Sequence, residues 1–152
     1  MRLIALNGDH AHALAALHAQ AFETPWNEQA FAELLGGPGA IALAAGDEDG
    51  LLGFILLRAV ADEVEILTLA VAPAHRRQGL ARALLDAGLA LAVQSGAGRA
   101  FLEVAVDNLA AIGLYEGADF VRIGRRPAYY ARKSGPPVDA LVLSRALHPA
   151  DP

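Results

Sequence analysis

The spacing of apolar positions changes character several times along the chain. Residues 2–6 (Arg2-Leu3-Ile4-Ala5-Leu6) read as a short strand, after which Asp9 can cap a helix with Leu14, Leu17 and Phe22 on one face. Thr24-Pro25-Trp26 breaks that helix. Asn27 is placed to cap a second one, which presents Phe31, Leu34 and Leu35 and stops at Gly36-Gly37-Pro38. Apolar runs at residues 40–45, 51–60 and 63–71 predict three strands, the first two joined through Asp47-Glu48-Asp49-Gly50, whose Asp-Gly pair suits a hairpin.

From Gly79 the period becomes helical, with Leu80, Leu84, Ala87 and Leu91 on one face of a helix running to about Ser95. Gly96 and Gly98 release the chain into a strand at 100–106, and Asp107-Asn108 opens a helix through Glu116. Strands near 120–127 and 138–145 complete the chain. This order predicts an α/β fold: a mixed, mostly antiparallel sheet of about six or seven strands flanked by about four helices. A fully parallel doubly wound sheet is disfavoured, because the hairpin and the two consecutive C-terminal strands need antiparallel pairing. With no repeat, low-complexity tract or linker, residues 1–152 read as a single domain.

Composition narrows the function classes. Hydrophobic residues make up 55% of the chain, but many are alanine and no apolar run approaches the ~18–20 residues that span a bilayer. Without a signal-peptide pattern the expectation is a soluble, cytoplasmic protein with no membrane partner. The net charge of -5 argues against nucleic-acid binding and favours cationic or neutral partners. With 0 Cys, no thiolate can carry an acyl group, so any acyl transfer would be direct or use a weaker nucleophile. His10, His12, His18, His75 and His148 show no ligand spacing, and no metal is expected.

The stretch Leu67-Thr68-Leu69-Ala70-Val71-Ala72-Pro73-Ala74-His75-Arg76-Arg77-Gln78-Gly79-Leu80-Ala81 runs from a strand through a basic turn into a helix. That order makes an anion site. Unpaired N–H groups at the helix start point outward, the helix dipole adds positive potential, and Gly79 lets a phosphate approach the backbone. Arg76 and Arg77 add formal charge. The chain has no Gly-Lys-Ser/Thr for a nucleoside triphosphate and no Gly-x-Gly-x-x-Gly for a dinucleotide.

Here the sequence resembles the GCN5-related N-acetyltransferase superfamily, whose pyrophosphate loop Gln/Arg-x-x-Gly-x-Gly/Ala matches Arg76, Arg77, Gln78, Gly79, Leu80 and Ala81. The resemblance sharpens towards the RimI-type ribosomal-protein-alanine N-acetyltransferases in Phe22-Glu23-Thr24-Pro25-Trp26, Leu102-Glu103-Val104, Asn108-x-x-Ala111-Ile112-x-Leu114-Tyr115-Glu116 and Tyr129-Tyr130. It implies acetyl-CoA as co-substrate and a protein N-terminal α-amino group, such as that of a ribosomal protein, as acceptor. It further implies that Glu103 is the base, that Tyr115 is the acid for the departing thiolate, and that Asn108 contacts CoA as well as capping its helix. Two departures stand out. Gly117-Ala118-Asp119-Phe120 replaces the usual Gly-Phe closure, and Gly135-Pro136-Pro137-Val138-Asp139 replaces Gly-Arg-Glu-Asp.

The chemistry needs a neutral amine and a polarised carbonyl. At pH 7 roughly a tenth of an α-amine is neutral, against well under a thousandth of a lysine side chain, so an N-terminus is the easier acceptor. Glu103 interrupts an apolar strand and shares a face with Phe101 and Ala105. Glu65, on the strand before the loop and on a face with Leu67, Leu69 and Val71, is a competing base and acceptor contact; Glu63 is a third candidate. Backbone N–H groups of Leu69, Ala70 and Val71 are placed to polarise the thioester oxygen. Trp26, Tyr129 and Tyr130 are candidate walls of the acceptor pocket. Two rival functions remain at this point: small-amine or antibiotic acetylation, and a non-catalytic acyl-CoA-binding module.

Overall fold

The computed structural model describes residues 2–47 and 50–148. Its strands are β1 (Arg2–Ala5), β2 (Ala40–Asp47), β3 (Gly50–Val60), β4 (Glu63–Val71), β5 (Arg99–Ala105), β6 (Val121–Tyr130) and β7 (Val138–Ala146). Its α-helices are α1 (Ala11–Ala21), α2 (Glu28–Gly36), α3 (Leu80–Gln94) and α4 (Leu109–Gly117). The strands form one sheet in the order β1-β2-β3-β4-β5-β7-β6, parallel at β4–β5 and antiparallel elsewhere.

Helices cover both faces because most strands are apolar on both sides. Leu84, Leu85 and Leu89 of α3 and Ile112 of α4 pack with Ile55, Leu57, Val64, Ile66, Leu102 and Leu143. On the opposite face Leu14, Leu17 and Phe31 of α1 and α2 meet Ala42, Ala44, Phe54 and Leu56. Burying each such leucine or phenylalanine stabilises the fold by ~2 kcal/mol. Gly88 lets α3 lie close to β3, since a Cβ there would come within 2.9 Å of Leu57 Cδ1.

Local rules account for most helix ends. Asn27 accepts from Ala30 N–H at 2.8 Å and Asn108 from Ala111 N–H at 3.2 Å, as their sequence positions predict. Asp9 does not cap α1. Asn7 and His10 instead form a reciprocal capping box around a 3-10 turn, Gly8–His10, and Asp9 lies inside that turn. After α4 the chain turns at Asp119, in the left-handed region at φ 71, so a non-glycine residue makes the altered closure. The hairpin residues 48 and 49 lie outside the described residues, but Asp47 and Gly50 on either side of them are paired.

Of the four register shifts among the described strands, two shape the site. Thr68 pairs with Leu56 and Ile66 with Leu57, leaving Leu67 as an extra residue on β4. The alternation therefore slips: Val64, Ile66, Leu69 and Val71 face α3, whereas Leu67 and Ala70 face α1 and α2. This corrects the single face read from the sequence for Glu65, Leu67, Leu69 and Val71, because the extra residue flips every position after it. In β6 the register jumps from Arg126↔Ala140 to Tyr130↔Val138. Pro127 falls in that bulge, where no ladder N–H is required, so the strand continues to Tyr130 and does not end at 127.

Candidate active site

β4 and β5 pair only from Glu63↔Arg99 to Ile66↔Leu102. Beyond that point residues 68–71 stay with β3 and residues 103–105 with β7, so the middle of the sheet splits into a wedge. One wall is the freed edge of β4, including Leu69, Ala70 and Val71, whose backbone can pair with an extended amide-bearing arm as an added strand would. The other wall is β5 from Glu103 onward.

The chain leaves β4 through a 3-10 turn at Pro73–His75 and reaches α3 through exposed Arg76, Arg77, Gln78 and Gly79. Arg77 and Gly79 hold φ values of 64 and 78. Gly79 is the N-cap of α3 and supplies no side-chain cap, so the first N–H groups of the helix, including those of Leu80 and Ala81, remain available to an anion. A Cβ at Gly79 would meet nothing within 4 Å, so the start of the helix is open on that side. Among the described residues neither Arg76 nor Arg77 is in an ion pair. These features fit a pyrophosphate at the loop and a pantetheine arm in the wedge.

On β5, Ala100, Leu102 and Val104 enter the α3/α4 core, which turns Phe101 and Glu103 to the opposite face. The Glu103 side chain is 14% exposed, with Oε1 3.3 Å from Arg126 Nε. Its other oxygen, Oε2, is buried without a hydrogen-bond partner. The Tyr129 phenol is directed at the same carboxylate, which raises its pKa, though no hydrogen bond to Oε2 is completed. Tyr130 O–H donates to the Glu103 carbonyl at 3.0 Å, and burial followed by the Glu103 charge pushes its pKa up to about 12. Sequence reading missed Arg126; its position three residues before a tyrosine pair gave no signal.

Tyr115 projects from α4 into the α3/α4 core, with its ring 5.6 Å from Phe120. Burial, then the neighbouring Tyr130, raise its pKa well above the usual phenol value. Glu65 lies opposite Phe101 in the register and is engaged by Arg58 at 2.9 Å. Glu63 is exposed at the strand start. A shallow depression lined by Arg58, Asp62, Glu63, Glu65 and Phe101 continues this face away from Glu103.

Trp26 turns inward, its ring 5.2 Å from His18 and 5.6 Å from Phe31. His18, a second residue that sequence reading did not place, is buried between α1 and the β4 bulge. Its Nδ1 accepts from Trp26 N–H at 3.1 Å, so Nε2 carries the proton and donates to Thr68 Oγ1 at 3.0 Å. A lone histidine among Leu14, Leu17 and Phe22 and a threonine within an apolar strand were the available signal. The α1–α2 connection also meets the β6–β7 loop, where Glu23 accepts from Lys133 N–H at 2.7 Å and lies 3.8 Å from Arg132.

Comparison with known proteins agrees with this architecture. Residues 11–120 match the Acetyltransferase (GNAT) family model, and the chain belongs to that family. It is 33% identical over 132 residues to the [ribosomal protein bS18]-alanine N-acetyltransferase of Escherichia coli, covering 86% of this chain and 88% of that protein. The crystal structure of the ribosomal-protein-S18-alanine N-acetyltransferase from Escherichia coli aligns with a TM-score of 0.90 at 29% identity, covering 99% of this chain and 96% of that one. The chain is 36% identical over 147 residues to the N-alpha-acetyltransferase RimI of Mycobacterium tuberculosis, covering 93% of this chain and 89% of that protein. It also spans 36% of the length of an uncharacterized Mycobacterium leprae protein, ML0378, at 38% identity.

Proposed function

We propose that this acetyltransferase moves the acetyl group of acetyl-CoA directly to the N-terminal α-amino group of a protein, with Glu103 as the base. The observation that carries the reading is the Glu103 carboxylate, with buried, unpartnered Oε2, on the β5 wall of the wedge beside Tyr129 and Tyr130. Both carboxylates face an arginine, but Glu65 is the weaker candidate because Arg58 hydrogen-bonds it at 2.9 Å and it is the more exposed, whereas Arg126 approaches Glu103 Oε1 at 3.3 Å and leaves Oε2 without a partner. The E. coli and M. tuberculosis relatives, named for α-amine acetylation, support the same acceptor class, and a ribosomal protein N-terminus is the first to try.

The chain's residues divide the work. Backbone N–H groups near Leu69 to Val71 polarise the thioester oxygen, and Arg76 through Ala81 hold the pyrophosphate, with Asn108 at the start of α4 a further contact. Glu103 takes the proton that frees the amine, directly or through water; the amine nitrogen then bonds the acetyl carbon as the carbon–sulfur bond breaks. The second amine proton balances the thiolate, giving the amide and free thiol. Tyr115 assists as a hydrogen-bond donor to the thiolate and keeps its own proton. With its pKa raised above 10, full transfer to a thiol near 8.5 would cost at least ~2 kcal/mol. Tyr129 and Tyr130 flank the incoming amine.

The test compares Glu103→Gln with Glu65→Gln, using acetyl-CoA, a peptide with a free N-terminal alanine, and thiol release as the readout. Glu103→Gln lowers kcat by ~100-fold or more, most at low pH where neutral amine is scarce, and Glu65→Gln changes it little. The reverse order would move the base to β4.

A further inference from the structure

Asp139 stands opposite the β6 bulge. On β7 it is the one residue between Val138 and Ala140, while β6 places Pro127, Ala128 and Tyr129 between the partners of those two, Tyr130 and Arg126. Ala128 holds a φ of 50, a left-handed conformation that an alanine does not adopt without support. The support is the Asp139 carboxylate. Oδ1 accepts from Ala128 N–H at 2.8 Å and Oδ2 from Arg125 Nε at 2.6 Å, so one side chain holds both the centre of the bulge and the strand just before it. The same residue is fixed to the catalytic strand's end, because its carbonyl accepts from Val106 N–H at 3.0 Å.

The side chains that surround Glu103 come from the gripped segment: Arg126 at Oε1, Tyr129 facing the carboxylate, and Tyr130 on the carbonyl. We propose that Asp139 is a positioning residue for the acceptor side of the site, clamping the β6 bulge so that Arg126, Tyr129 and Tyr130 stay around Glu103. The inference rests on Glu103 as the base for its effect on turnover, but the clamp itself is readable without turnover. It also gives the Gly135-Pro136-Pro137-Val138-Asp139 segment a role, since that segment delivers Asp139 to the bulge. The pKa of Asp139 is lowered by the Ala128 N–H and then by Arg125, consistent with a carboxylate that stays charged.

Asp139→Ala, Asp139→Asn and Asp139→Ala combined with Ala128→Gly are compared with wild type. Three quantities are read: kcat/KM for an N-terminal alanine peptide, acetyl-CoA Kd by calorimetry, and amide hydrogen exchange in residues 124–130 against residues 80–94. Asp139→Ala speeds exchange in 124–130 alone, leaves acetyl-CoA Kd at the wild-type value, and lowers kcat/KM by ~10- to 100-fold, the scale of a misplaced site. Asp139→Asn, which keeps an acceptor for Ala128 N–H, loses less. Ala128→Gly, which tolerates the left-handed turn, restores part of the Asp139→Ala loss. Unchanged exchange in 124–130 would overturn the clamp whether or not the enzyme acetylates peptides. A parallel fall in acetyl-CoA affinity with no recovery from Ala128→Gly would also overturn it, as the mark of general destabilisation. Local exchange that responds in an enzyme inactive on every peptide would support the clamp and count against the acceptor.

Discussion

His18 makes the stability of this fold depend on pH in a calculable way. The ring is 3% exposed and its two nitrogens are committed to Trp26 N–H and Thr68 Oγ1, so protonation would charge a buried group and reverse a donor–acceptor arrangement. Burial lowers its pKa from 6.5 to about 4. Below pH 6.5 the unfolded chain takes up a proton that the folded protein refuses until about pH 4, so stability is complete above 6.5 and falls as pH drops towards 4. The full effect is ~3 kcal/mol, and ~2 kcal/mol is already lost at pH 5. Against a typical total of roughly 5–15 kcal/mol this is a large share. Urea unfolding at pH 7.5 and pH 5 measures it, with His18→Gln as the non-titrating reference. The variant is less stable at pH 7.5, by ~1–3 kcal/mol for imperfect replacement of the two hydrogen bonds. Between the two pH values wild type loses ~2 kcal/mol more than the variant, since all other groups cancel. Equal losses in both proteins would refute the buried neutral histidine.

Three further substitutions probe separate parts of the structure. Gly79→Ala forces alanine into φ 78, costing ~1 kcal/mol and lowering Tm by about 2–4 °C, while calorimetry shows a larger loss of acetyl-CoA affinity because strain at this position disturbs the turn that presents the N–H groups of the proposed pyrophosphate loop. Gly53→Ala puts a Cβ 2.9 Å from the Ala70 carbonyl oxygen and 3.3 Å from Leu84 Cδ1, and thermal unfolding shows ~1–3 kcal/mol of overpacking. Tyr115→Phe keeps the ring against Phe120 and removes the hydroxyl, so kcat falls by ~10- to 100-fold in steady-state assays with little change in Tm.

The features legible in the sequence were those set by local rules. Asn27 and Asn108 announced two helix starts, the Gly79 period announced α3, and the basic turn before it marked the donor loop. Glu103 could be singled out as the charge inside an apolar strand. The features that were hidden depend on register between strands far apart in sequence. Nothing in Leu67-Thr68-Leu69 reveals which residue is extra, because the bulge is decided by pairing with Leu56 and Leu57 and by the Thr68–His18 bond across 50 positions. In the sequence Pro127 marks the end of β6 for the same reason: a bulge that excuses a proline is visible only once Asp139 is opposite it. Arg126 at Glu103 and the inward turn of Trp26 follow from those pairings.

The most direct test of α-amine transfer uses one peptide that carries both a free N-terminal alanine and an internal lysine. The purified protein and acetyl-CoA are incubated with it at neutral pH, and fragment mass spectrometry locates the acetyl group. The structure and its chemistry predict one acetyl group, on the α-nitrogen, at a rate that collapses in Glu103→Gln. Acetylation confined to the lysine, or undiminished α-amine acetylation by Glu103→Gln, would contradict the account.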